Sequence, residues 1–192
     1  MDHLDTRSPL VVDTRDLNRR PGSMLELSRT VPAPDDFGTD VVTVAPGRPI
    51  TLQLRLEAVT EGVLVSGSAA AMATGTCSRC LDPLSEEVSA AFQELYAYPD
   101  RAAHHKESAN RGPAADEPEL EEDELVLVGD LLNLEPVLRD ALVPALPFQP
   151  VCRLDCPGLC AECGAHLADD PGHHHEVLDP RWAALHRLTG QN

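Results

Sequence analysis

The sequence contains few aromatic residues and no long apolar segment. Aromatics make up 3% of the 192 residues, so a hydrophobic core has to be built mainly from Leu, Val and Ala. No stretch approaches the roughly 18 consecutive apolar residues that a membrane-spanning helix needs, and the first 23 residues lack the apolar centre of a secretory signal peptide. We therefore expect a soluble, cytoplasmic protein with no membrane association. Its length suits one domain of about 100 to 150 residues plus flexible segments.

Positive charge is also scarce. The chain has 15 Lys+Arg against 32 Asp+Glu, which gives a formal net charge of -17. Such a protein is repelled by phosphate, so the composition excludes a protein that grips nucleic acid with its whole surface. A basic protein partner suits it better, and charge that serves solubility alone is an equal alternative. The arginines that stand out for a contact role are few, and ordinary surface charge is the favoured interpretation of each: Arg19, Arg20, Arg79 and Arg153.

Motifs of catalysis are absent. The sequence has no HExxH, no GxSxG and no glycine-rich loop that could cradle phosphates. A redox-active CxxC of the thioredoxin type follows a strand and begins a helix in a βαβ unit, and neither CxxC of this chain has that setting. We therefore expect no enzyme activity and no small-molecule substrate. A thiol-disulfide enzyme is kept as the least favoured hypothesis.

What the chain does have is a dense cluster of metal-ligand residues near its end. The 24 residues from Cys152 to His175 hold four of the six cysteines and four of the eight histidines. Thiolate and imidazole are the ligands that zinc prefers, and Gly158 and Gly164 flank Cys160-x2-Cys163 with the permissive backbone that a tight turn requires. The other two cysteines, Cys77 and Cys80, have the same spacing but lie far upstream, so a shared ion would tie the middle of the chain to its end.

Two groupings of ligands are open. In the first, the two CxxC pairs Cys77/Cys80 and Cys160/Cys163 form one four-cysteine site. In the second, Cys77 and Cys80 join Cys152 and Cys156, while Cys160 and Cys163 join two residues of the histidine tract, which contains His173, His174 and His175. The second uses every cysteine and is slightly favoured, with His173 and His175 as the chosen histidines. Either way four protein ligands leave no open position, so we predict one or two structural zinc ions rather than a catalytic one.

Alternating apolar residues predict strands in the first half of the chain. The clearest run is 50–56, where Ile50, Leu52, Leu54 and Leu56 alternate with polar residues. Further strands are predicted at 8–13, 24–31, 63–76 and 84–98, whereas 41–45 is too short to classify. Helix remains an alternative for Glu86 to Tyr96, because Ala and Glu are good helix formers. Cys77 and Cys80 should lie in the connection between two long strands, at one end of an antiparallel sheet.

The second half predicts a short strand at 125–128 and two helices. Asn133 is the expected N-cap of the first helix, which Pro144 and Pro147 should stop. Asp179 and Pro180 should begin the second helix, which extends through Leu188. We predict an α+β fold: an antiparallel β-sheet or partly closed barrel with about two helices and a C-terminal cysteine cluster like a zinc ribbon. Residues 1–99 should form the β region, and residues 124–192 should form the remainder of the same single domain. Residues 100–123 should be an acidic, disordered insertion, in which His104 and His105 are weak ligand candidates.

Four motifs together resemble those of the bacterial YceD-like proteins, a family described as large ribosomal RNA subunit accumulation proteins. They are CSRCL at 77–81, ALPF at 145–148, Cys152 followed by CPGLCAECG at 156–164, and LDPRWAALHRL at 178–188. The resemblance implies a role in the synthesis, processing or stability of large-subunit (23S) ribosomal RNA, without known enzyme activity. It also implies that the gene often neighbours one for a small, basic zinc-ribbon protein of the large subunit. Members commonly carry cysteines where this chain has its histidine tract, and some lack part of the cysteine set.

The leading hypothesis is a non-enzymatic ribosome-biogenesis factor whose fold is stabilised by bound zinc. Its expected partner is a basic large-subunit ribosomal protein or a precursor ribosomal particle, so that any association with rRNA is indirect. The alternative is a zinc-ribbon protein-interaction module in transcription or another assembly. The two differ in the proteins that co-purify with the chain: ribosomal proteins in the first case, and polymerase or regulatory subunits in the second.

Overall fold

The computed structural model describes residues 4–99 and 125–175. These ranges contain seven strands and one complete helix. In chain order they are β1 (Val11–Asp13), β2 (Met24–Pro32), β3 (Val42–Thr43), β4 (Pro49–Ala58), β5 (Gly62–Thr76), β6 (Pro83–Ala97), β7 (Leu131–Asn133) and α1 (Glu135–Ala145).

The main sheet has five antiparallel strands. Its path runs β2-β4-β5-β3, and β6 pairs with the edge of β5 that faces away from β4. The β5–β6 pairing is the longest, from Gly62 opposite Ala97 to Thr76 opposite Pro83 without interruption. A second, two-stranded sheet pairs β1 with β7, which brings the N-terminal part of the chain against residues that follow position 124.

One face of the main sheet forms the core. Ile50, Leu52, Leu54 and Leu56 of β4 are all buried, as the alternation predicted. On β5 the same face carries small residues that include Ala69, Ala71 and Ala73. The helix α1 contacts β5 and β6 and has its own buried side chains, Val137, Leu138 and Leu142. These three alanines are therefore the low-volume face of a central strand.

Several sequence expectations need correction. The described strands form an open sheet and no closed barrel, and one complete helix stands in the described residues where about two were expected. The helical alternative for Glu86 to Tyr96 is wrong, because this stretch lies within β6. The strand predicted at 125–128 reduces to isolated bridges at Val126 and Val128, and β7 forms just after it. The predicted insertion with its two histidines and the predicted last helix lie outside the described residues.

The start of α1 also differs from its prediction. The N-cap is Leu134, which makes no side-chain capping hydrogen bond. Asn133 nevertheless contributes, because its Oδ1 accepts a hydrogen bond of 3.1 Å from the backbone N–H of Glu135. Its backbone carbonyl accepts a further bond of 2.5 Å from the buried Tyr96 hydroxyl, which fixes β6 to the entry of the helix. At the other end the helix continues one residue beyond Pro144.

The position predicted for the first CxxC is confirmed. β5 ends at Thr76 and β6 begins at Pro83, so Cys77 and Cys80 lie in the hairpin connection at one end of the antiparallel sheet. None of the helices in the described part of the chain combines the length and the apolar composition needed to cross a membrane.

Candidate metal centres

Two groups of potential ligands converge in the structure. The first consists of Cys77, Cys80, Cys152 and Cys156, and the second of Cys160, Cys163, His173 and His175. Within each group the four ligand atoms all lie within 4.8 Å of one another. This is the composition of the second grouping that the sequence left open. The first grouping is not seen, because its two CxxC pairs belong to different clusters.

The first cluster, Cys77/Cys80/Cys152/Cys156, has the spacing of a tetrahedral zinc site. The Sγ atoms of Cys77 and Cys156 are 3.9 Å apart, and those of Cys80 and Cys152 are 3.7 Å apart. Four sulfurs at about 2.3 Å from one zinc ion would be separated by about 3.8 Å. A disulfide requires about 2.05 Å, and all six cysteines are free. The donor set and the spacing therefore fit a metal ion.

The second cluster, Cys160/Cys163/His173/His175, is tighter and more exposed. The Nε2 atoms of His173 and His175 are each 3.2 Å from Cys163 Sγ and 2.9 Å from each other. Ideal edges of a mixed sulfur and nitrogen site are about 3.4 to 3.6 Å, so the arrangement is slightly contracted. His174 is not among the converging ligands, and its Nδ1 lies 3.0 Å from the Gly172 carbonyl oxygen instead. The histidine tract thus contributes its first and third members.

Both CxxC pairs adopt the same turn. In the first, the Leu81 N–H donates to the Cys77 carbonyl at 2.9 Å, and the Cys77 N–H donates to the Asp82 carbonyl at 2.8 Å. In the second, Gly164 and Ala165 stand in the places of Leu81 and Asp82, with the same two distances to Cys160. The residue after each pair has a positive φ, 62° at Leu81 and 73° at Gly164. We call these two turns the knuckles.

Backbone N–H groups in the knuckles favour thiolates. The N–H of Cys80, followed by that of Cys152, lowers the pKa of Cys77 to about 6. The N–H groups of Cys163 and Glu162 do the same for Cys160, whose pKa is also lowered to about 6. The contact with Cys156 and burial raise the pKa of Cys152. Since the thiolate is the form that binds metal, each knuckle prepares its first cysteine as a ligand.

Two residues that the sequence did not mark as ligands hold the clusters in place. Arg79 Nη1 donates to the carbonyls of Cys156 at 3.0 Å and Leu154 at 3.3 Å, and the Arg79 carbonyl accepts from the Leu159 N–H. Asp82 Oδ2 lies 3.3 Å from Cys80 Sγ and 3.9 Å from His166 Nδ1. Their positions inside and beside CSRCL are the sequence signal for both roles. Arg79 therefore has a structural task rather than only surface charge.

Comparison with known proteins places the chain in a family. A profile described as "Large ribosomal RNA subunit accumulation protein YceD" matches residues 65–189, which is more than half of the chain and includes both clusters. The chain belongs to the YceD family. The uncharacterized protein Rv2926c of Mycobacterium tuberculosis is 45% identical over 184 residues, which cover 95% of this chain and 83% of that protein. The uncharacterized protein ML1660 of Mycobacterium leprae is 41% identical over 179 residues, which cover 93% of this chain and 76% of that protein.

These YceD relatives add no residue-level function. No solved structure matches the chain. What the family description supports is a role connected with the ribosome, and the clusters are places where this family member could hold metal ions.

Proposed function

We propose that this YceD family member is a non-enzymatic ribosome-biogenesis factor that supports the synthesis, processing or stability of 23S ribosomal RNA. The observation that carries the proposal is the family match across residues 65–189. The proposal includes a basic large-subunit ribosomal protein or a precursor particle as the partner. The net charge of -17 supports this choice, because a surface of that sign attracts basic proteins and repels phosphate. The work would take place in the cytoplasm, where ribosomes are assembled.

The proposal assigns a structural zinc ion to each cluster. Cys77, Cys80, Cys152 and Cys156 would hold one, and the second cluster the other. Support comes from the donor types, from the sulfur spacing of 3.7 to 3.9 Å and from the number of ligands. Four protein ligands leave no coordination position for water or substrate, which is typical of zinc that maintains a fold.

Depletion in the native host tests the function. The ratio of large to small ribosomal subunits is measured by sedimentation, together with the amounts of both mature rRNAs. We expect a selective loss of the large subunit and of 23S rRNA, restored by the wild-type gene. An unchanged ratio in cells whose growth is impaired would contradict the proposal. Co-purification of polymerase subunits instead of ribosomal proteins would then favour the interaction module in transcription.

A further inference from the structure

The strand β6 leaves a long edge of the main sheet unpaired within the described residues. Its neighbour β5 lies on one side and pairs with it over the whole length. On the other side, the Ala97 N–H donates to the Leu125 carbonyl and the Ala97 carbonyl accepts from the Leu127 N–H. Backbone groups of alternate residues point the same way in an antiparallel strand. The N–H and C=O groups that point outward therefore belong to Ser85, Glu87, Ser89, Ala91, Gln93 and Leu95.

No hydrogen bond among the described residues reaches those outward groups. The edge from Ser85 to Leu95 spans about 34 Å at about 3.4 Å per residue. Natural sheets usually block such edges with Pro, with charged side chains, Lys above all, or with a bulge. Between Leu84 and Leu95 the strand contains no Pro and no Lys, its only charged residues are three glutamates, and its register with β5 is continuous.

The chain itself already uses this edge once. Val126 forms a parallel bridge with Ala97 at the C-terminal end of β6, through the two hydrogen bonds to Leu125 and Leu127. The edge thus accepts an added extended segment at one end. From Leu95 back to Ser85 the same geometry continues, and none of the described residues pairs with its outward donors and acceptors.

Charge decides which kind of segment would fit. Glu86, Glu87 and Glu94 are exposed on β6, with Glu86 and Glu94 on one face and Glu87 on the other. In an antiparallel pair of two copies centred on Ala90, Glu86 of each copy would lie opposite Glu94 of the other, and like charges in that position destabilise a sheet. A strand with Lys or Arg on both faces would instead place opposite charges there.

We propose that the free edge of β6 binds an extended, basic segment of a partner protein by strand addition, with Glu86, Glu87 and Glu94 selecting for positive charge. Backbone hydrogen bonds supply affinity in this mode and the side chains supply selectivity. This edge would be the surface that binds the partner in the proposed function. That the partner is a basic protein rests on the proposed function.

The test uses the full chain loaded with zinc and the ten-residue peptide TTKKTTKKTT, whose paired lysines lie on both faces of an extended strand. Amide hydrogen exchange is followed by NMR with and without saturating peptide. Exchange should slow by about tenfold or more at the six outward amides, from Ser85 to Leu95 at every second residue. Two peptide controls accompany it. One replaces every Lys by Glu, and the other keeps the charge but places Pro at both central Thr, so that one of the two prolines must face the edge of β6 and break strand pairing.

A charge-reversal variant examines the glutamates. Glu86→Lys, Glu87→Lys and Glu94→Lys together should weaken peptide binding by about tenfold or more. The matched control, Glu26→Lys, Asp35→Lys and Asp40→Lys, makes the same change of net charge at exposed sites away from β6 and should retain binding within about threefold at about 0.15 M salt.

Three results would overturn the proposal. Outward amides that are already protected in the free protein would show that another part of the chain or a second copy occupies the edge. Equal binding of the proline peptide would show attraction by charge without strand addition. Equal weakening by the two triple variants would remove the role of the three glutamates. If any of these occurs while depletion still reduces the large subunit, the proposed function stands and only this surface is wrong.

Discussion

Leu81 carries a backbone conformation that its residue type disfavours. Its φ of 62° lies in the left-handed region, where a Cβ crowds the following carbonyl, yet it occupies the place that Gly164 fills in the other knuckle. The side chain is 63% exposed, so it buries little apolar surface in return. The hydrogen bonds that the knuckle makes around Cys77 require the strained conformation.

We therefore predict that Leu81→Gly stabilises the protein. Relief of the left-handed strain, about 1 to 2 kcal/mol, should exceed the backbone entropy cost of glycine, about 0.5 to 1 kcal/mol. The free energy of unfolding from denaturant titration should rise by about 0.5 to 1 kcal/mol, with metal content unchanged. Leu154→Gly is the control, because Leu154 is 91% exposed and has no positive φ. An equal loss of stability in both variants would contradict the strain argument.

The thiols of Cys160 and Cys152 should differ in reactivity when the metal is removed. Backbone N–H groups lower the pKa of Cys160 to about 6, whereas the pKa of Cys152 is raised. In metal-stripped, folded protein at neutral pH, iodoacetamide should alkylate Cys160 before Cys152, as measured by mass spectrometry. Reaction at equal rates would contradict the knuckle geometry, and addition of zinc should protect both.

The same shifts give the metal-stripped protein a pH-dependent stability. The folded-state pKa values of Cys77 and Cys160, about 6, lie below the ordinary value of 9.0. Their ionisation therefore contributes stability that is present in full above pH 9.0 and is lost as the pH falls through about 6. We expect a lower melting temperature below pH 6 than at neutral pH. Cys160→Ser should reduce this difference, and an unchanged difference would contradict the assignment.

At the scale of elements, alternation predicted the strands that bury one face, whereas of the three shortest strands only β1 was predicted, from its apolar run. Val88, Ala90 and Phe92 at every second position indicated β6, and the sheet overrode the helix propensity of its Glu and Ala residues. β3 has two residues and β7 has three, so neither carries a period. The N-cap shifted from Asn133 to Leu134 because Asn133 pairs with Val11 in the second sheet.

Close packing at the centre of β5 leads to a prediction for Gly67. A Cβ at this position would lie 2.5 Å from the Gln53 carbonyl oxygen and 2.9 Å from a Leu54 methyl group. Gly67→Ala should therefore lower the free energy of unfolding by about 1 to 3 kcal/mol, because the strands would have to separate locally. Ser68→Ala, on the exposed face of the same strand, should stay within about 0.5 kcal/mol. Similar free energies of unfolding for the two variants in denaturant titrations would show that the strands can separate locally without loss of stability.

At the scale of the whole molecule, residue types indicated the ligands but could not decide which of them meet. Cys80 and Cys152 are 72 positions apart, and their approach depends on the β5–β6 hairpin, the turn at the end of α1 and the hydrogen bonds from Ser78 to the Pro150 carbonyl. The sequence predicted the strands of this hairpin and the end of the helix, but it has no local signal for the contact between Ser78 and Pro150. The second cluster closes over only 10 to 12 positions, which is why its members could be recognised as neighbours.

The ligands of the first cluster are far apart in the sequence and those of the second are close together, so we expect different consequences when each metal is lost. Constraining a long loop removes more entropy from the unfolded chain than constraining a short one, and binding energy of a structural zinc is folding energy. Cys80→Ser should lower the global free energy of unfolding by about 3 kcal/mol or more, because it also leaves a buried site incomplete. Cys163→Ser should remove one zinc as well, but leave the unfolding of the main sheet within about 1 kcal/mol of the wild type.

Metal content by mass spectrometry and denaturant unfolding followed by far-UV circular dichroism or by amide exchange of β4 and β5 would separate the two effects. Exchange in residues 160–175 should accelerate in Cys163→Ser, while β4 and β5 keep their protection. Equal losses of sheet stability in the two variants would mean that the clusters act as one unit, joined through Arg79 and Asp82, which contact residues near both. Unchanged melting and metal content in both variants would refute structural zinc.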